Sequence, residues 1–254
     1  MTDPPCVLGD STWETIRDLA LEVAVLPWGA TEAHNRHLPY ATDTIETTVL
    51  AALAAERAWR AGARVLVLPA VPFGVNTGQR EVPFCLNVNP ATQAALLADL
   101  AASLEPHGVR KLVVLNGHGG NDFRQIIREL QPRTRLLLCQ VNWYQCVDPE
   151  PFFTNPGDHA GELETSVMMA VAPELVRPLS TAGPGHARRF RVGGFREGWA
   201  WTPRHWVRVT DDTGVGDPSP ATREKGERFV EAVVERLAGF LVELGAANPD
   251  ELYE

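Results

Sequence analysis

An alternation of two apolar patterns through the first two thirds of the chain constrains its fold more than any other feature. Short runs rich in Val, Ile and Leu occur at "EVAVLPWG" (22–29), "RVLVLPAVPFG" (64–74), "KLVVLNGHGG" (111–120) and "TRLLLCQVNW" (134–143). Between them lie longer, Ala-rich stretches with apolar residues at helical spacing, 44–60, 90–105 and 121–130, and a further one fits 162–172. Strands that read as near-continuous apolar runs are buried on both faces, and strands alternating with helices pair in parallel. The expectation is an α/β fold with a mostly parallel central sheet. At 254 residues, one domain over 1–254 is the simplest organisation.

Residues 182–219 break the pattern with glycines, prolines, arginines and three of the seven tryptophans, and read as a long excursion rather than a linker. The chain then closes on a long amphipathic helix whose start is marked by Ser219 and Pro220.

Polar clusters follow the predicted strands. "ATEAHNRHLPYATD" (30–43) follows the first, "NGHGGN" (116–121) the third and "NWYQ" (142–145) the fourth. Ligands of open parallel sheets bind outside the carboxyl ends of the strands, so these segments can meet there. Glu32 and His34, two positions apart, share a face if the segment is extended. A carboxylate beside an imidazole suits Zn, Mn or Fe. Asp43, at the junction with the next helix, either caps it or joins the ligands. His118 lies among glycines that admit a close ligand. In "DHAGELETS" (158–166), His159, Glu162 and Glu164 lead into a helix, where acidic residues also serve as plain capping.

Composition narrows the function. A formal net charge of −9 argues against a nucleic-acid binder, because affinity for phosphate backbones comes from Lys and Arg. No apolar run approaches the ~20 residues of a membrane span, and "MTDPPCVLGD" has neither the basic start nor the apolar core of a signal peptide. A cytoplasmic protein is expected. Cys6, Cys85, Cys139 and Cys146 form no C-x-x-C pair, so free thiols are expected.

The ordered motifs "WGATEAH..HLP..TD", "NGHGGN", "DHAGELETS" and "TGVGDPSPATREKG" resemble the creatininase family, the creatinine amidohydrolases, from about Leu26 to the final helix. The resemblance implies a three-layer α/β/α sandwich, a binuclear centre of two divalent metal ions, amide hydrolysis of a small-molecule substrate, and a homo-oligomer, a hexamer by family habit. Zn is the first choice of metal, with Mn or Fe as alternatives. Carried over, Glu32, His34, Asp43 and His118 fall at metal-ligand positions, with Asp43 as the bridging carboxylate. His159 matches a histidine used in proton transfer, and Glu164 the glutamate before Thr-Ser.

Three departures stand out. Creatininase has a glutamate where this chain has Gly120, so either a carboxylate comes from elsewhere, with Glu164 the choice of fifth ligand and Glu162 in reserve, or a water fills the position. Asn35 and Arg36 replace a usual Gly and Pro, and the 72–90 loop lacks the family's His and F-P-G-T run. The last two are expected to bear on substrate preference more than on metal.

The implied reaction is hydrolysis of a C–N bond in a small cyclic amide or formamide, with His159 passing a proton to the departing nitrogen. A modified peptide or a cyclic polyol ketone could occupy the same centre. A non-catalytic, metal-stabilised assembly protein is the remaining alternative. His37 is expected to be structural. The segment 186–206, which interleaves Arg with aromatics, reads as a subunit contact, and as a grip on an anionic or planar substrate.

Overall fold

The computed structural model describes residues 6–253. Its centre is a four-stranded, wholly parallel sheet: β1 (Val23–Trp28), β2 (Val65–Val67), β3 (Lys111–Asn116) and β4 (Leu137–Asn142), in the order β2-β1-β3-β4. Five longer helices accompany it: α1 (Thr42–Arg60), α2 (Pro90–Leu104), α3 (Arg124–Leu130), α4 (Glu162–Val171) and α5 (Arg223–Ala246).

Strand periodicity sorts the helices into two layers. Val23, Val25, Val65, Val67, Val113 and Leu115 face one way, onto Leu50, Ala54 and Ala58 of α1 and Phe229, Val233 and Leu237 of α5. The intervening Ala24, Leu26, Leu66, Leu112 and Val114 face the other way, onto Leu97 and Ala101 of α2 and Ile126 and Leu130 of α3. Both sheet faces are covered, which is why β1 and β3 are buried along their whole length. The expected α/β/α sandwich is the observed one.

Boundaries differ where local chemistry intervenes. β2 is only three residues of the expected 64–74 run, because Pro69 and Pro72 cannot donate ladder hydrogen bonds. α5 begins at Arg223 behind Thr222, whose side chain accepts from the Lys225 N–H. Ser219 is instead engaged by Asp217, so the expected start was a few residues early. Lys111, at the amino end of the central strand β3, is buried, and its Nζ donates to the Gly245 carbonyl at 2.9 Å, closing the end of α5.

The strand order decides where a ligand fits. The chain leaves β1 toward β2 on one side and leaves β3 toward β4 on the other. β1 and β3 are adjacent, so their carboxyl ends flank the crevice where the winding reverses.

Candidate metal centre

The loop after β1, the first turn of α1, the loop after β3 and the first turn of α4 converge on that crevice. Glu32, His34 and Asp43 are each no more than 1% exposed, His118 5% and His159 6%. His118 Nδ1 lies 2.7 Å from Glu32 Oε1 and 3.1 Å from Asp43 Oδ2, and His34 Nε2 lies 2.8 Å from Asp43 Oδ1.

Three overlapping sets of potential ligand atoms arise: Glu32, Asp43 and His118; His34, Asp43 and Glu164; and Glu32, His34 and His159. Within each set the atoms lie within 4.8 Å of one another. The first two sets share Asp43, one carboxylate oxygen toward each. Asp43 is the second residue of α1, behind Ala41, so it caps nothing and its carboxylate is free to face the cluster.

The remaining atoms of each imidazole are fixed by backbone. His34 Nδ1 pairs with the Glu32 carbonyl at 3.1 Å, His118 Nε2 with the Val75 carbonyl at 3.1 Å, and His159 Nε2 with the Ala33 carbonyl at 2.8 Å. Donating from these nitrogens leaves the opposite lone pairs aimed inward, as in metal-ligating histidines generally. Despite the short separations, among the described residues neither His34 Nε2 nor Asp43 Oδ2 makes an aligned hydrogen bond. Buried donors and acceptors at contact distance without hydrogen-bond alignment are the arrangement expected when lone pairs converge on a cation.

Charge accumulates accordingly. Burial lowers the His34 pKa, but the Asp43 carboxylate overcomes it and raises it to about 10. Burial also opposes the charged form of His118, which Glu32 and Asp43 nevertheless hold well above the usual range. Asp43 and Glu32 are both depressed: burial raises them, and the imidazoles of His34 for Asp43 and of His118 for Glu32 outweigh it. Glu164 is raised, by burial first, with His34 and His159 opposing.

The two candidates for the fifth ligand separate cleanly. Glu162 faces α5, with Oε1 2.5 Å from Lys225 Nζ and Oε2 accepting from the Asn155 N–H. Glu164 accepts from the Ala160 N–H and stands with His34 and Asp43. At Gly120 a β-carbon would fall closer than 3.0 Å to both His118 Nε2 and the Val75 carbonyl. A side chain there is incompatible with this pose of His118.

Asn35 corrects an expectation. It sits at φ 55°, a left-handed conformation that Asn tolerates better than most residues. Its Nδ2 donates to the Gly183 carbonyl at 3.0 Å and its Oδ1 accepts from the Gly183 N–H at 2.8 Å. It therefore pins the excursion of 182–219 rather than facing the cleft, and neither it nor the exposed Arg36 lines the cleft. His37 pairs through Nε2 with Thr165 Oγ1 at 2.9 Å, tying the opening loop to α4.

Sequence reasoning passed over Gln79 and Glu46. Gln79, in a short 3-10 turn (Thr77–Gln79), donates to Glu32 Oε2. Glu46, one turn beyond Asp43, is fully buried, and among the described residues neither of its oxygens has a hydrogen-bond partner. Burial, and then Glu164 and Asp43, push its pKa well up. Its spacing from Asp43 was the one available signal.

A cleft of about 530 Å³ opens over Glu32, Asp43, His118 and Glu164, walled on its outer side by Trp201, Arg204 and Trp206. The Trp206 ring meets His159 edge-on at 5.2 Å. Arg204 lies over Trp206, 4.6 Å from its centroid, and pairs with Asp158. Among the described residues no helix is long and apolar enough to cross a membrane.

Comparisons with known proteins point to one family. The chain is similar over its whole length to a protein of Bacteroides fragilis NCTC 9343 whose assignment as a creatinine amidohydrolase is provisional: 46% identity, a TM-score of 0.93 and full coverage of both chains. It is 32% identical, over 83% of its own length and 81% of the relative's, to the mycofactocin precursor peptide peptidase of Mycobacterium tuberculosis (strain ATCC 25618 / H37Rv). A mutant creatininase of Zn-Zn type shares the fold, with a TM-score of 0.76 at 24% identity over 96% of this chain and all of the other. The profile of the creatininase family, described as creatinine amidohydrolase, matches residues 9–241, and the chain belongs to that family.

Proposed function

We propose that this chain is an amidohydrolase that cleaves a C–N bond of a small cyclic amide or formamide at a binuclear metal centre. Glu32, Asp43 and His118 would hold one divalent ion, and His34, Asp43 and Glu164 would hold the other, Asp43 being common to both sets. The observation that carries this reading is the pair of buried, unaligned atoms, His34 Nε2 and Asp43 Oδ2, inside two ligand sets that share one carboxylate. Zn is the first choice of ion, in keeping with a two-nitrogen, three-carboxylate donor set and with the Zn-Zn form of creatininase.

Bound divalent ions supply Lewis acidity toward a carbonyl oxygen and lower the pKa of water to near neutrality. The chain's residues do the rest. With Nε2–H committed to the Ala33 carbonyl, His159 keeps its Nδ1 lone pair toward the centre, 3.8 Å from Glu32 Oε1, placed to take a proton from the attacking water and then hand it to the departing nitrogen. Trp206, packed on His159, fixes the ring against the cleft wall. Gln79, donating to Glu32 Oε2, orients that carboxylate so that Oε1 faces His118. Trp206, itself buried, adds a low-polarity surface beside His159, which strengthens electrostatic contacts there.

A modified peptide is the second reading, supported by the name of the mycobacterial relatives. The test is metal content by mass spectrometry and turnover of a panel of cyclic amides, formamides and short peptides. Two ions per chain are expected for the wild type, fewer for Asp43→Asn, with turnover lost in His159→Ala while its metals are retained. A wild type that binds no divalent ion when divalent metals are supplied in excess would refute the proposal.

A further inference from the structure

The cleft over the candidate centre continues outward. Pro149, Pro156, Gly157, Asp158, Pro203 and Arg204 line it and also line a second, wider groove of about 1490 Å³. That groove carries Arg188, Arg189, Arg196, Arg204 and Arg208 against two carboxylates, Asp158 and Asp217. The chain as a whole has a net charge of −9, so this is a local concentration of positive charge and not a reflection of composition.

The two carboxylates leave most of that charge free. Asp158 is taken up by Arg204, and Asp217 accepts from Ser219. Arg188 is paired with Asp211 at 2.6 Å. Arg189 and Arg208 are exposed and form no ion pair among the described residues. Unpaired guanidinium groups offer planar donor forks that match phosphate or carboxylate oxygens.

The arginines are mounted on a fixed frame. Asp212, buried behind them, accepts from the Gly185 N–H through Oδ2 at 2.9 Å and from the Gly214 N–H through Oδ1 at 3.0 Å. The Arg188 N–H donates to the Val209 carbonyl at 2.8 Å, which joins the arginine-bearing loop to the helical turn Trp206–Val209. Asn35 clamps Gly183 from the loop that bears Glu32 and His34. Groove and centre therefore share one scaffold, and Arg204 at their junction reaches His159 through Trp206.

Resting on the reading of the centre as an amide hydrolase, we propose that this arginine groove binds an anionic group on the non-reacting part of the substrate. The substrate is then an amide bearing a phosphate or a carboxylate, larger than a neutral ring that the cleft alone would hold.

The test uses metal-loaded, full-length protein titrated calorimetrically with inorganic phosphate, with glutarate, and with glycerol as a neutral control. An Arg189→Ala/Arg208→Ala variant is titrated in parallel. At least one anion is expected to bind the wild type, at least tenfold more weakly to the variant, with metal content and melting temperature unchanged. The tighter arm distinguishes phosphate from carboxylate. No binding of either anion to the wild type overturns the proposal. So does equal binding to both proteins, which would put the anion on the metals. A shift in sedimentation mass of an Arg189→Glu/Arg208→Glu variant, with anion affinity intact, overturns it in favour of a contact between copies of the chain. Because the readout is binding, it is separable from the reading of the centre, which fails on the metal content and turnover instead.

Discussion

Replacing Gly120 with alanine should disable the centre, while the same change at Gly119 should be silent. A β-carbon at 120 would fall closer than 3.0 Å to His118 Nε2 and to the Val75 carbonyl, whereas at 119 it meets nothing within 4 Å. His118 Nε2 and the Val75 oxygen are themselves hydrogen-bond partners at 3.1 Å, so the new methyl intrudes on the contact that orients the ring. Forcing an extra carbon into packed surroundings costs about 1–3 kcal/mol. The disturbed hydrogen bond adds about 1 kcal/mol. At roughly 2–4 °C per kcal/mol for a chain of this size, the metal-free Gly120→Ala protein should melt roughly 4–16 °C lower. Gly119→Ala should stay within about 0.5 kcal/mol of wild type. Misorienting a ligating histidine should also weaken metal binding by roughly 10–100-fold in Gly120→Ala alone. Thermal melts followed by circular dichroism, with calorimetric Zn titrations, measure both. Equal losses at 119 and 120, or a wild-type response from Gly120→Ala, would refute the argument that His118 is held by this approach.

Protonation makes stability and metal affinity run in opposite directions. The folded-state pKa of His34 is raised to about 10, so its stabilisation of the metal-free protein is complete below about pH 6.5 and is lost as pH climbs toward 10; His118, also raised, loses its contribution in the same direction. Asp43 is depressed, so its contribution is present above about pH 4 and is lost on acidification. Ligation needs neutral imidazole, so metal affinity should rise over the interval in which metal-free stability falls; titrations in buffers of different ionisation enthalpy should register proton release. Glu46→Gln should stabilise the metal-free protein, because the native carboxylate must stay protonated when folded and ionises when unfolded. The gain should vanish near pH 4.5 and grow by about 1.4 kcal/mol per pH unit above it until the folded group itself ionises; a gain independent of pH in denaturant melts would contradict this.

What could be read from the residues alone follows from how local the signals are. The sandwich was legible because both faces of β1 and β3 are buried, which writes an uninterrupted apolar run into the sequence. Glu32, His34 and Asp43 were legible as a group because the loop that holds them is contiguous. Gln79, 47 residues away, was not, since only the pairing of β2 beside β1 brings the segment that follows β2 against Glu32. Asn35 was misjudged for the same reason: its partner Gly183 lies 148 residues on, and nothing near Asn35 announces it. Glu46 was hidden by its helix, where a glutamate reads as an ordinary solvated residue. Gly120 was seen as a missing ligand; its packing against His118 and Val75 shows why the glycine is required.

Moving the fifth carboxylate from the loop after β3 to α4 changes which parts of the fold the proposed centre ties together. With Glu164, the ligand set spans the loop after β1, the start of α1, the loop after β3 and the first turn of α4. α4 does not move alone. A β-carbon on Gly226 of α5 would come closer than 3.0 Å to the Ser166 carbonyl, so the two helices touch at the backbone. Ser166 Oγ accepts from the Thr222 N–H at 3.2 Å, and Lys225 holds Glu162. An ion at 100 times its Kd stabilises the folded state by about 2.7 kcal/mol. If Glu164 is a ligand, that stabilisation must reach the α4–α5 contact, slowing amide hydrogen exchange at 162–166 and 222–226 as well as at 30–43 and 116–121. In Glu164→Gln the ion should still protect 30–43 and 116–121 through Glu32, Asp43 and His118, while 222–226 exchanges at its metal-free rate. Protection of 222–226 that persists in Glu164→Gln would place the fifth ligand elsewhere.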